Sequence, residues 1–354
     1  MNLVSRFVQF NEKQSLLTTG EILVPALKNE EILIKVKYTS LCRSDINTFI
    51  GKRSEKTPTI LGHEIVGEIV AFGTDTLKID IRSNPLVVGD IITWGIFASD
   101  PEDRLSKLGL PQKATDLFKY GHETITEQSH LHGGLADYII LRKNTPLIKF
   151  LIPLPFEVCS IINCSVATVA ASLRLAENLT SKSVLIIGAG MLGIIGVAML
   201  QKHQVASITV VDISETRLNK AKKFGATETY LFEEFDLNLD FYDVVIDYSG
   251  IHEAINLGMK KLNVGGMAIW VGATFPQKSL LINPEEVIRK ILTIKGIHNY
   301  NVGDLITAVQ FIEQYNQKYK FEELIEQSFD IENIQSAFEY AVENNPYRVG
   351  ISFN

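Results

Sequence analysis

Val184-Leu-Ile-Ile-Gly188-Ala-Gly190-Met-Leu-Gly193 decides the fold of this chain. Four apolar residues, three of them β-branched, read as a buried strand, and the apolar run from Met191 to His203 reads as a helix. Between them the glycines have the spacing GxGxxG. The first allows a tight turn, the second lets backbone approach a pyrophosphate, and the third lets helix and strand pack closely. The helix start then offers its unpaired N–H groups, those of Met191 and Leu192 included, to phosphate. Asp212 follows 24 residues after Gly188, at the end of the next β run. A carboxylate there accepts both ribose hydroxyls and repels a 2′-phosphate, which favours NAD over NADP. Arg217 can flank the same ribose, which leaves room for NADP. The competing reading is a turn that binds nothing, with Asp212 capping a helix.

Outward from this loop, strands and helices alternate. Strands are expected at Ser183 to Ile187, Ala206 to Val211, Thr229 to Phe232, Asp243 to Tyr248, Ala268 to Val271 and Ile291 to Ile297. Helices are expected at Ser214 to Phe224 and Glu253 to Leu262. Such alternation implies parallel strands joined by crossover helices, a doubly wound α/β domain over residues 166–300. Residues 1–165 read differently: short β segments (Glu31 to Tyr38, Glu64 to Phe72, Leu86 to Trp94, Leu135 to Arg142) surround a polar lobe at 95–133. Residues 301–354 read as two amphipathic helices and a strand that return to the first domain. At 354 residues the chain has room for about two domains of roughly 150 each.

The net charge is −7 with both signs interspersed, which disfavours a nucleic-acid partner. Met1 to Leu17 is expected to carry no export signal, and the apolar stretch Val184 to Leu200 is short for a bilayer span and broken by glycine. Three widely spaced cysteines make no disulfide framework and suit a reducing cytoplasm, so each needs its own explanation. Cys159 reads as a small hydrophobe. Cys42 and Cys164 combine with His63 into a three-ligand zinc set with a fourth position free for water or substrate. Spacing alone favours ordinary buried cysteines and a structural histidine over a metal site.

Several motifs carry a resemblance. Leu61-Gly-His63-Glu64-Ile-Val-Gly67-Glu68-Ile-Val70, Cys42-Arg43-Ser44-Asp45, Val87-Val-Gly89-Asp90, Gly133-Gly-Leu-Ala-Asp137-Tyr138 and Lys222-Lys-Phe-Gly225-Ala226 resemble the signatures of the medium-chain zinc alcohol dehydrogenases, in order along nearly the whole chain. Leu110-Pro-Gln-Lys113, Lys119-Tyr-Gly-His122-Glu123, Asn163-Cys-Ser-Val-Ala-Thr168 and Gly296-Ile-His-Asn-Tyr300 resemble the subgroup associated with phosphonate catabolism. The resemblance implies a GroES-like β-rich catalytic domain and a Rossmann cofactor domain. It implies catalytic zinc on Cys42, His63 and Cys164, with Glu64 behind the metal. Ser44 would take the alcohol proton. Arg43 and Arg348 would meet the pyrophosphate, and Thr168, Val271 and Ile297 the nicotinamide. It implies hydride transfer between an alcohol and NAD, in a homodimer or homotetramer.

Two departures refine this. Asn47 stands where many relatives carry the last base of the proton relay, so the relay is expected to pass from Ser44 to water. Asp100, Asp103, Ser106 and Ala114 stand where a structural zinc lobe has four cysteines, so one zinc per chain is expected. His122, His130 and His132 are expected to be solvated loop histidines, and Lys52 and Arg53 a solvated basic loop. The substrate pocket is expected from Asn47 to Lys52, Trp94 to Phe97 and Ile297 to Tyr300, with a polar lining suited to a polyol, amino alcohol or phosphonate-bearing alcohol. A silent NAD-binding pseudoenzyme and a zinc-free enone or quinone reductase are the alternatives.

Overall fold

In a computed structural model, residues 3–13, 15–127, 129–235 and 237–353 are described. Parts of the Met1 to Leu17 stretch (residues 1, 2 and 14) lie outside them. The chain forms two compact units, residues 1–164 with 301–354, and residues 165–300.

The first unit is built on a seven-stranded sheet. Its main path runs Ile325–Asp330, Arg348–Ser352, Ile32–Leu41, Glu64–Phe72, Ile91–Trp94, Leu147–Lys149, and Tyr138–Leu141 pairs beside Ile32–Leu41. All pairings are antiparallel except that between the two C-terminal strands. Ile34, Val36, Ile65, Ile69, Ile92, Trp94 and Ile139 form one core. Each fully buried branched chain there contributes about 1.5–3 kcal/mol. Two registers matter for the site. Ser40 lies opposite Glu64, and Val349 opposite Leu41. The ends of three strands thus converge where Cys42, Glu64 and Arg348 stand. The strand Ile325–Asp330 escapes sequence reading because it is a half-exposed edge with a polar centre, Glu326-Gln327-Ser328.

The second unit carries a six-stranded, all-parallel sheet in the order Glu228–Leu231, Ser207–Asp212, Ser183–Ile187, Tyr242–Asp247, Leu262–Trp270, Thr293–Gly296. That is the 3-2-1-4-5-6 order of a dinucleotide-binding fold. The helix Glu215–Phe224 shows why its sequence folds so. Ser214 caps its start by accepting from the Arg217 N–H at 3.4 Å. Leu218, Ala221 and Phe224 bury one face, and Gly225 ends it at φ 110°, a left-handed position that suits glycine. Phe232, expected to end a strand, instead opens the short helix Phe232–Phe235. The helical run Phe156–Leu175 is long and apolar enough to cross a membrane, yet 83% of its apolar window is buried within the protein.

Candidate active site and metal centre

Cys42 follows the strand Ile32–Leu41 and stands at the N-cap of the helix Arg43–Phe49. The Asp45 carboxylate, in the first helical turn, accepts from the Cys42 N–H at 2.9 Å and fixes that corner. It also accepts from the Gly62 N–H at 3.4 Å and stands 3.4 Å from His63 Nδ1. One buried carboxylate thus ties both ligand segments together, a role absent from the sequence reading. Asn163 ties the third. Its amide donates to the carbonyls of His63 and Trp94, each at 2.9 Å, and its oxygen accepts from the Ile65 N–H at 3.3 Å. Cys164 is the next residue along.

The result is one cluster. The donor atoms of Cys42, His63 and Cys164 all lie within 4.8 Å of one another. Two thiols and an imidazole at that spacing fit tetrahedral zinc. The thiols form a coupled pair: a hydrogen bond from Cys164 is the largest influence holding Cys42 well below the usual thiol range, and the same bond pushes Cys164 up. One thiolate is therefore already favoured, as a metal ligand requires. Burial opposes charge on His63, but Asp45 and Cys42 outweigh it and push its pKa up to about 10. Cys159, by contrast, packs against Tyr38 and Val66, and burial pushes its thiol up.

Glu64 is fully buried behind this cluster. Arg348 Nε donates to its Oε2 at 2.7 Å and Nη2 to its Oε1 at 2.9 Å, while Ser40 Oγ donates to Oε2 at 2.7 Å. Arg348 Nη2 also reaches Cys42 Sγ at 3.6 Å, and Nη1 donates to the Tyr347 carbonyl. Burial pushes the Glu64 carboxyl up against the pull of Arg348. Arg348, expected at the pyrophosphate, is held here by Glu64 and Cys42. Ser44 is half-buried, with Oγ 3.5 Å from His63 Nε2, and Arg43 is exposed and bonded to Asn345.

The histidine expectation is overturned for two residues. His122 and His132 are buried, at 6% and 1% exposure. The His122 ring centroid lies 5.0 Å from that of His63, and its Nδ1 is 2.7 Å from Glu55 Oε2. Burial, then the neighbouring charge of His63, hold His122 well below the usual imidazole range, so it is neutral. Local sequence could not show this, because the turn at Lys119 to His122 is folded inward by a long-range pairing of Phe97 with Lys119. Arg53 is likewise half-buried and paired with Glu55 at 3.0 Å. Trp94 and Phe97, expected in the pocket, are fully buried. In the 95–133 lobe, Asp103 accepts from the Leu105 and Thr115 N–H groups and the Thr115 hydroxyl, closing the loop where cysteines would meet a metal.

In the second unit the glycine loop has the expected shape. Gly188 has φ +99°, and a Cβ on Gly193 would stand 1.9 Å from the Gly188 carbonyl oxygen. A Cβ on Gly190 would meet nothing nearer than an Arg217 nitrogen at 4.0 Å. The first and third glycines are thus demanded by packing, while the second borders open space, as a phosphate cradle should. Gly190 caps the helix Met191–Leu200. The Asp212 carboxylate accepts from the Ala189 N–H at 2.6 Å and the Ser214 N–H at 2.9 Å. It is not the cap of the next helix, which is Ser214. Val271 and Ile297 follow neighbouring strands at the same sheet edge, their N–H groups bonded to Asp247 and Trp270 carbonyls. Thr168 is buried near the start of Ala167–Leu175.

A three-ligand sulfur–nitrogen centre and a dinucleotide-type fold define a zinc-binding oxidoreductase. Residues 28–154 match the alcohol dehydrogenase GroES-like domain, and residues 192–314 the zinc-binding dehydrogenase domain. The chain belongs to the medium-chain zinc alcohol dehydrogenase family. It is 27% identical over 333 residues to L-threonine 3-dehydrogenase of Vibrio cholerae, covering 89% of this chain and 86% of that protein. It is 26% identical over 347 residues to sorbitol dehydrogenase 1 of Saccharomyces cerevisiae, covering 90% and 89%. The crystal structure of an alcohol dehydrogenase from Thermotoga maritima shares the fold at TM-score 0.92 and 24% identity, over 99% of this chain and all, 100%, of that one.

Proposed function

We propose that this protein transfers hydride between a polar primary or secondary alcohol and NAD, with a single zinc held by Cys42, His63 and Cys164. The observation that carries the reading is the convergence of those three donor atoms within 4.8 Å. When bound, zinc supplies Lewis acidity that eases loss of an alcohol proton, and the nicotinamide supplies the hydride acceptor.

The chain's own residues do the rest. Asp45 and Asn163 orient the ligand segments, and Glu64 with Arg348 sets the charge behind Cys42. Ser44 Oγ takes the proton and passes it to water, since the Asn47 amide can hold a water but not accept the proton. Gly190 and the N–H groups that follow it, Met191 and Leu192 among them, hold the pyrophosphate, with Arg43 beside it. Asp212 holds the adenosine ribose hydroxyls, and Arg217, close to Gly190, leaves some NADP binding. Thr168, Val271 and Ile297 border the nicotinamide. Relatives named for threonine and sorbitol act on hydroxyls beside other polar groups, which supports a polyol or amino alcohol, with a phosphonate-bearing alcohol as a further candidate of like polarity. The test is NADH formation by the zinc-loaded protein over a panel of such alcohols. Turnover with NAD exceeding that with NADP supports the reading. Zinc and NAD binding with no turnover of any alcohol would sink it.

A further inference from the structure

His122 stands beside the metal cluster without being one of its ligands. The turn at 119–122 is pressed onto the segment that carries His63. Gly121 has φ +76°, and a Cβ there would fall 2.5 Å from the Gly62 carbonyl oxygen. The Gly121 N–H donates to the His132 carbonyl at 2.8 Å, and the His122 N–H to the Lys119 carbonyl at 3.2 Å. Held in this way, the His122 and His63 rings have centroids 5.0 Å apart. The loop that follows Asn47 supplies the next contact. The Arg53 N–H donates to the Asn47 carbonyl at 3.1 Å, and Arg53 Nη2 meets Glu55 Oε2 at 3.0 Å. The same Glu55 oxygen is 2.7 Å from His122 Nδ1.

These contacts fix which nitrogen of His122 carries the proton. A carboxylate paired with a guanidinium only accepts, so Nδ1 is the N–H and donates to Glu55. In the neutral ring Nε2 then keeps its lone pair and is an acceptor. It meets no hydrogen-bond partner among the described residues, and it is not sealed in, since the residue keeps 6% exposure. Packing alone gains nothing from an oriented acceptor left open, because a buried polar atom without a partner costs free energy.

We propose that His122, oriented by Glu55, determines specificity: its Nε2 accepts a hydrogen bond from a second donor group, a hydroxyl or an ammonium, on the carbon next to the one oxidised. This rests on the dehydrogenase reading above for the reaction, while the contact itself is open to a binding test. The reacting hydroxyl lies at the Cys42, His63 and Cys164 cluster. The His63 and His122 rings are neighbours, so a molecule held at one brings a group one carbon away to the other. A methyl group or a fluorine in that place has no proton to give and leaves Nε2 unpaired. An unpaired buried polar group is what makes a site reject an analogue that lacks the matching donor.

The test compares 1,2-propanediol with 2-butanol and 1-fluoro-2-propanol, in which a methyl or a fluorine replaces the terminal hydroxyl and the secondary hydroxyl is kept. In wild type, kcat/KM for the diol should exceed that for either analogue by about tenfold. His122→Met, apolar and adaptable in shape, should bring the ratio close to one, chiefly through KM. His122→Gln keeps an acceptor oxygen and should retain part of the preference. Equal kcat/KM for the diol and both analogues in wild type overturns the proposal without any variant. So does a ratio unchanged in His122→Met, with all three alcohols slowed together, which marks a structural role. Calorimetric titration of the zinc-loaded protein with the same alcohols reads the contact without turnover. Hydroxyl contact with the metal is common to wild type and variants, so only their difference reports the ring. Turnover of all three alcohols with no preference removes the His122 contact and leaves the dehydrogenase reading. Tighter diol binding that is lost in His122→Met, with no turnover of any alcohol, does the reverse.

Discussion

Arg348 grips Glu64 with two hydrogen bonds, 2.7 and 2.9 Å, in a fully buried pair behind Cys42. The pair joins the last strand of the chain to the segment that carries His63. Removing the cation leaves a buried carboxylate uncompensated. Arg348→Met should cost about 3–5 kcal/mol of stability, read by denaturant unfolding. Adding Glu64→Gln should recover much of it. No recovery in the double variant would mean that Arg348 acts through packing alone.

Asp45 anchors Cys42 and stands beside His63 Nδ1. Outer partners of metal ligands typically contribute 10–100-fold to metal affinity. Asp45→Asn keeps the shape and loses the charge, so it should weaken zinc binding by about tenfold. Competition against a chromogenic chelator measures this. Unchanged zinc affinity would assign Asp45 to helix capping only.

The charge of Lys119 sets a pH window for stability. Burial, then the charges of Arg53 and Lys113, pull its ammonium down to about 8, against the opposite pull of Glu55 and Cys164. A lysine lowered in this way carries its charge below that value and loses it above. Because the folded state releases this proton more readily than the unfolded chain, Lys119 destabilises the fold at low pH, and that penalty is relieved as pH rises above 8. A stability profile across this range that is the same in Lys119→Gln as in wild type would contradict this.

Asp212 and Gly193 report on the cofactor half. Asp212→Gly should lower the NAD-to-NADP ratio of kcat/KM by about tenfold or more, through the lost carboxylate hydrogen bonds. Gly193→Ala should abolish dinucleotide binding, because its Cβ would fall 1.9 Å from the Gly188 carbonyl oxygen. Retained fluorescence quenching by NADH in Gly193→Ala would contradict the loop assignment.

Much of this was readable along the chain. The glycine loop, Asp212 and strand–helix alternation are local signals, and parallel strands buried on both faces leave continuous apolar runs such as Val184 to Ile187. Cys42, His63 and Cys164 sit within recognisable motifs. What escaped was set by distant pairing. His122 is turned inward by strand contacts around Phe97 and Lys119, and nothing in its neighbours reveals burial. Arg348 meets Glu64 across 284 positions of sequence, so that partner could not be read from its neighbours. The Arg53–Glu55–His122 chain is legible only once residues 53 and 122 share a wall.

The central assignment is best tested by returning zinc to metal-depleted protein while following NADH formation from a turned-over alcohol. Activity should rise in proportion to added zinc and level at one equivalent per chain, with Cys164→Ser giving no such rise. Full activity before any zinc is added, or a plateau only at two equivalents, would contradict a single catalytic zinc on Cys42, His63 and Cys164.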